Sequence, residues 1–274
     1  MSIKSRYITR YAGDGIWCGE FTHFPDFVTH AVSTRLGGCS ANGDLNLALH
    51  TGDDPNVVVN NRRKLCRVLG LSDETIVTPQ QVHGDRFVYV TEADCGRGAW
   101  EYADAIADCD ALITDRPNVT LLLCFADCVP VLFVDPINRA IGISHAGWKG
   151  TAKKIGQKTL LEMQARFGTN PKDCLVGIAP SIGACCFEVD DYVVNEFRKE
   201  YVSLNPFLAE AKVEGKYHLD LWKANRIQLE EIGVAADNII SADICTACNE
   251  RMLFSYRAEQ GKTGRIAAIL SSID

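Results

Sequence analysis

Three segments of the 274-residue chain carry the side chains with the widest chemical reach: Gln81-Val82-His83-Gly84-Asp85, Ala126-Asp127-Cys128-Val129-Pro130 and Ser144-His145-Ala146-Gly147-Trp148. Imidazole and thiolate together suit zinc or copper, and three protein ligands leave a fourth position for water or substrate. His83, Cys128 and His145 are therefore the candidate metal ligands. Their spacing matches neither a C-x-x-C finger nor an H-E-x-x-H helix, so residue type rather than spacing carries the reading. Asp85 and Asp127 stand beside two of them, as carboxylates that can orient an imidazole or move a proton. A metal-free reading uses the same groups, with Cys128 as a thiolate nucleophile and His83 or His145 as its base.

The remaining soft donors read more plainly. Twelve cysteines in a chain with no leader-like start are expected as reduced thiols, most of them small buried hydrophobes. Cys245-x-x-Cys248 is half of a zinc ribbon with no second pair at ribbon spacing. Cys185-Cys186 would point apart on a strand. Packing is the expectation for these four. Cys124 lies an even number of residues before Cys128 on one strand-like run and is expected beside the metal; His50 and His218 are spare ligands.

Strand ends must deliver these groups. The apolar run 140–144 follows the turn Asp135-Pro136-Ile137-Asn138, which pairs it with 131–134 and places His145 where a strand stops. Further β runs fall at 27–34, 86–91, 111–114, 119–125, 175–178, 239–244 and 266–270. Helical periodicity covers 55–70, opened by Asp54-Pro55 and closed by Gly70, and also 150–167, 190–201 and 219–231. Hairpins mix with helices and βαβ alternation is absent. The expected fold is therefore one α+β domain over residues 1–274, layered, with helices outside a mixed β-sheet core.

Composition agrees with an enzyme of ordinary type: 47% hydrophobic, 23% charged. A net charge of -7 argues against a nucleic-acid partner. The start, residues 1–17, lacks the apolar core of a signal peptide, and no run reaches the ~18 apolar residues of a membrane span. A cytoplasmic protein with no membrane partner is expected.

Taken together, Ser33-Thr34-Arg35-x-Gly37-Gly38, Leu45-Asn46-Leu47-x-x-His50-x-Gly52-Asp53-Asp54-Pro55, the three metal segments, Pro180-Ser181-Ile182-Gly183 and Phe254-Ser255-Tyr256-Arg257 with Thr263-Gly264-Arg265 resemble one family along nearly the whole chain. It is the bacterial multicopper polyphenol oxidase (laccase-domain) family, reinterpreted as purine nucleoside phosphorylases and including members called peptidoglycan editing factor. The resemblance implies a single domain with metal ligands His83, Cys128 and His145. It also implies small-molecule substrates, phosphate and the purine nucleosides adenosine, inosine, guanosine or methylthioadenosine; adenosine deamination is credited to some members.

Residue chemistry sorts these activities. A laccase needs a trinuclear copper cluster fed by H-x-H pairs; six histidines without one H-x-H do not supply it, leaving at most a single copper in the zinc site. Phosphorolysis needs an anion site, for which Arg35 beside Gly37-Gly38 and Arg62 on its helix are the expected phosphate clamps, with Asn46 as a sugar hydrogen-bonder. Trp148 offers a purine-stacking surface. Deamination would use zinc-bound hydroxide with Asp85 or Asp127 as acid–base group, although the H-x-E and P-C-x-x-C signature is absent. The Cys–His hydrolase reading connects to peptidoglycan precursor editing.

Overall fold

The computed structural model describes residues 6–273; Met1 to Ser5, part of the start read as lacking a leader, and Asp274 lie outside it. Fifteen strands and five α-helices follow in chain order. The strands are β1 (Tyr7–Gly13), β2 (Ile16–Phe21), β3 (Val28–Ser33), β4 (Ile76–Val77), β5 (Phe87–Tyr89), β6 (Ala111–Thr114), β7 (Thr120–Phe125), β8 (Val129–Asp135), β9 (Ala140–Ala146), β10 (Leu175–Ile178), β11 (Glu188–Asp190), β12 (Leu208–Glu210), β13 (Lys216–Leu219), β14 (Ile239–Ser241) and β15 (Ile266–Ser272). The helices are α1 (Pro55–Leu69), α2 (Trp148–Ala152), α3 (Ile155–Phe167), α4 (Asp191–Glu200) and α5 (Leu221–Glu231).

Two six-stranded sheets, ordered β1-β2-β3-β15-β7-β4 and β14-β10-β8-β9-β6-β5, form the body, with a small β11-β13-β12 sheet beside them. Both large sheets are mixed: β4–β7, β5–β6 and β10–β14 run parallel and the other pairs antiparallel. Period-2 alternation divides each central strand between two cores. Leu121 and Leu123 of β7 and Ala268 and Leu270 of β15 face Leu132, Val134, Ile141 and Ile143 of the second sheet. Leu122 and Ile269 point the other way, onto Leu65 and Cys66 of α1. On the far side, Val131, Phe133 and Ala140 pack under α2 to α5. The layers thus run helix, sheet, sheet, helices. Inner strands buried on both faces read as continuous apolar runs, as β7 and β8 do.

The expected α+β layered sandwich, with helices outside mixed sheets in one domain, is the observed fold. Its helix ends follow local chemistry: the Asp54 carboxylate accepts from Asn56 N at 2.8 Å, and Gly70 closes α1 in the left-handed region at φ 69°. Two readings need correction. The single helix expected over 150–167 is two, broken at Lys154 (φ 62°). The Thr151 carbonyl at the break accepts from Tyr201 Oη (3.0 Å) and Gln228 Nε2 (2.9 Å), which offsets the lost helical bonds. The N-terminal hairpin of β1 and β2 was not anticipated, although Asp14-Gly15 (φ 50° and 81°) is the residue pair that a tight hairpin turn selects.

One contact locks the sheets face to face. A Cβ built on Gly177 in β10 would lie 2.5 Å from the Phe21 ring of β2. Gly177→Ala is expected to destabilise by about 1–3 kcal/mol, as overpacked cores do, and by less in a Phe21→Leu background. Urea denaturation of the four proteins measures the coupling; equal costs in both backgrounds would refute the contact.

Candidate metal centre and substrate pocket

Asp110, fully buried immediately before β6, organises the site. Its Oδ1 accepts from His83 N (3.0 Å) and meets His145 Nδ1 (2.8 Å); its Oδ2 accepts from Val82 N (3.1 Å) and Gly84 N (2.7 Å). The Asp110 carbonyl also takes His145 N at 2.7 Å. Burial alone would raise this carboxyl. The hydrogen bonds from His145 and from the Gly84 and Val82 amides outweigh it, holding the group below the usual carboxylate range. Three amides converging on one carboxylate also hold His83 at φ 60°, a backbone setting histidine seldom takes. Gln81 tethers the same loop by pairing with both backbone groups of Cys124 at the end of β7, at 2.8 and 2.9 Å.

The three candidate ligands come together. Donor atoms of His83, Cys128 and His145 all lie within 4.8 Å of one another. With Nδ1 of His145 committed to Asp110, Nε2 is the ring nitrogen left for a metal, the usual carboxylate–histidine arrangement. Cys128 sits in the turn from β7 to β8, and burial pushes its thiol up, but His145 and His83 more than reverse this and bring it down to about 6. His145 is raised to about 9 against its burial by Cys128 and Asp110. Gly147 is required here. A Cβ on it would stand 2.8 Å from Cys128 Sγ and 3.2 Å from a His83 ring carbon. Two imidazoles, one oriented by a buried carboxylate, and an easily ionised thiol fit a zinc or copper ion.

A cavity of about 510 Å³ opens over this cluster. Its walls include Trp148, Phe187 and Tyr256 and three cations, Lys149, Arg257 and Arg265. None of the three cations has a carboxylate partner among the described residues; the arginines donate to backbone carbonyls, Arg257 to Cys186 O and Glu188 O, Arg265 to Thr263 O and Gly264 O. Asp127 is the one carboxylate lining the cavity, and both its oxygens are used, by Thr246 Oγ1 and Arg257 N at 2.6 Å each. Cys124 and His50 also line it; Cys124 lies on β7 while Cys128 lies in the turn beyond, so the two do not share one strand.

Other expected site residues go elsewhere. Arg35 is paired with both oxygens of Asp44 (3.0 and 2.6 Å) and with Glu259 (3.2 Å), under Phe254, in a separate cavity of about 420 Å³. The Gly38 amide of its loop is spent on Gly43 O. Arg62 is buried, with Nε and Nη1 on the carbonyls of Leu47, Gly98 and Ala99. Asn46 donates to Thr51 and Asp53 and accepts from Ala48 N and Arg265 N, so it builds a turn. Asp85 pairs with Lys158 (2.5 Å) and Lys153 (3.7 Å) outside the cavity. His218 gives Nδ1 to Ala184 O. Arg257 stands in a sequence motif and Asp110 just before the β run 111–114, yet only folding shows that one faces the cavity and the other orients His83 and His145.

A model of the family described as multi-copper polyphenol oxidoreductase laccase matches residues 29–272. The chain belongs to that family. Within this laccase family it is 42% identical over 241 residues to purine nucleoside phosphorylase YlmD of Geobacillus stearothermophilus, covering 87% of this chain and 88% of that one. Adenosine deaminase RL5, from an unknown prokaryotic organism, is 34% identical over 86% of this chain and 90% of its own. The crystal structure of YlmD from Geobacillus stearothermophilus superposes with a TM-score of 0.92 at 39% identity, over 97% of this chain and 99% of that one. The multi-copper part of the family's description does not fit these residues. Of the six histidines only His83 and His145 share a donor cluster, so a trinuclear site has no ligands among the described residues.

Asp110→Asn retains size but places an amide NH2 where an acceptor is needed. It is expected to weaken Zn2+ binding at the His–Cys–His cluster by roughly 10- to 100-fold. Competition against a chromophoric chelator, with circular dichroism to confirm folding, reads the effect; unchanged affinity would contradict the role given to Asp110.

Proposed function

We propose that the protein is a metal-assisted purine nucleoside phosphorylase, cleaving adenosine, inosine, guanosine or methylthioadenosine with phosphate. The observation that carries this reading is the cavity itself: three cations without carboxylate partners and three aromatic rings surround the His83–Cys128–His145 cluster. Lys149, Arg257 and Arg265 bind and orient the phosphate dianion, taking over the part expected of Arg35 and Arg62. Trp148, Phe187 and Tyr256 offer faces for the purine. Held in line, a phosphate oxygen bonds to the sugar C1′ as the bond from C1′ to the base nitrogen breaks, giving free base and a sugar 1-phosphate. His83, Cys128 and His145 hold the metal, zinc in this reading, which supplies Lewis acidity when bound. Asp127 positions the Arg257 loop by accepting from Arg257 N and Thr246 Oγ1.

A second reading rests on Cys128, His145 and Asp110, which stand in the order nucleophile, base and orienting carboxylate of a cysteine hydrolase. Protein stripped of metal and then returned to Zn2+ separates the two, because a hydrolase would lose activity on reloading and the phosphorylase would gain it. The same assay detects deamination as inosine formed from adenosine.

Incubation of purine nucleosides with phosphate is expected to release base and sugar 1-phosphate in equal amounts. No released base, or a Cys128→Ala protein as active as the parent, would overturn the proposal. Arg265→Ala should raise the phosphate KM roughly 10-fold or more, the loss of one charge-assisted contact worth about 1.5–3 kcal/mol. Arg35→Ala should instead leave that KM in place and lower the thermal midpoint, since its contacts are structural. Phosphate-dependent initial rates and thermal melts of both variants check this pair.

A further inference from the structure

Four cysteines outside the pocket meet at one point. Cys185 and Cys186 lie in the turn between β10 and β11, while Cys245 and Cys248 lie in the loop after β14. All four sulfur atoms are within 4.8 Å of one another, with Cys185 Sγ to Cys248 Sγ at 3.6 Å and Cys186 Sγ to Cys248 Sγ at 3.4 Å. The expectation that neighbouring cysteines would diverge assumed a strand; a turn lets both point to one side.

Packing does not account for the group, because Cys185 and Cys248 are exposed. Zinc–thiolate bonds of about 2.3 Å define a tetrahedron with edges of roughly 3.8 Å, close to the observed separations, whereas a disulfide needs about 2.05 Å. The donors are all sulfur, the set that soft and borderline metals select. Backbone amides are already aimed at one of them: Gly183 N donates to Cys245 Sγ at 3.3 Å, and the Cys248 amide points to the same sulfur.

We infer that Cys185, Cys186, Cys245 and Cys248 form a second metal site, a structural tetrathiolate zinc centre distinct from the His–Cys–His cluster. Each thiol that ligates gives its proton to solvent. The site cross-links the two loops that wall the cavity. Ile182 N reaches Asp127 O, Thr246 N reaches Ser181 O, and Arg257 Nη1 reaches Cys186 O, so a clamp at the cysteines fixes Ile182, Phe187 and Arg257 in place. The inference does not depend on the reaction proposed above.

Elemental analysis of protein produced with Zn2+ tests it. Two zinc ions per chain are expected in the parent, and one in Cys185→Ser/Cys248→Ser, with a lowered thermal midpoint. Because that variant could fail to fold, the parent protein is also alkylated before and after chelation and mapped by mass spectrometry. Zinc should shield Cys185 and Cys248 despite their exposure, and chelation should release them. Cobalt loading adds a signature, since four thiolates give stronger sulfur-to-cobalt charge-transfer absorption than one. A zinc content that the double variant leaves unchanged, alkylation unaffected by chelation, or a disulfide among the four cysteines would each overturn it.

Discussion

The Asp110 carboxylate is the point on which the site depends. It is fully buried yet held below the usual carboxylate range by four polar hydrogens, three amides of residues 82–84 and the ring N–H of His145, while its backbone carbonyl takes the His145 amide. Removing a carboxylate from water is costly unless such partners replace the solvent. Here the compensation also does geometric work. One anion fixes the left-handed turn that carries His83 and the tautomer and orientation of His145, two groups 62 residues apart in the sequence.

What brings Asp110 to both segments is the layered packing. It precedes β6, which pairs with β9 in register Ala111 to Ser144, so His145 arrives beside it by strand pairing alone. Cys128 arrives through the short turn joining β7 of one sheet to β8 of the other. The His83–Cys128–His145 cluster therefore sits where the chain crosses between sheets, at strand ends, with Gly147 keeping the space open. Around it, the cations that line the cavity have no carboxylate partner among the described residues, while cations matched to carboxylates, such as Arg35, tie loops together.

Much of the architecture was legible from local signals. The apolar runs at 111–114 and 175–178 match β6 and β10 end to end, and Asp54, Pro55 and Gly70 bound α1. These signals act within a few residues and need no tertiary partner. The break at Lys154 was not legible, because the Thr151 carbonyl beside it draws added hydrogen bonds from Tyr201 and Gln228, far along the chain. The short β12 and β13 have little hydrophobic pattern of their own and exist through their pairing.

Sequence alone determined the kinds of chemistry this chain can do. Its imidazole and thiolate types named a zinc or copper site, its histidine count removed a multicopper cluster, and its motif blocks placed it in a family. Those are properties of residue identity, which folding does not alter. Tertiary structure alone decided which charged groups line the cavity. Arg35, Arg62, Asn46 and Asp85 were chemically suitable, but Arg35 and Asp85 are matched to opposite charges, Arg62 is buried on carbonyls and Asn46 builds a turn; Lys149, Arg257 and Arg265 line the cavity with no carboxylate partner among the described residues. Likewise, four cysteines that read as two unrelated pairs share one locus. Availability for function is what remains after folding has met its own hydrogen-bond and charge requirements, and that remainder is set by partners distant in sequence.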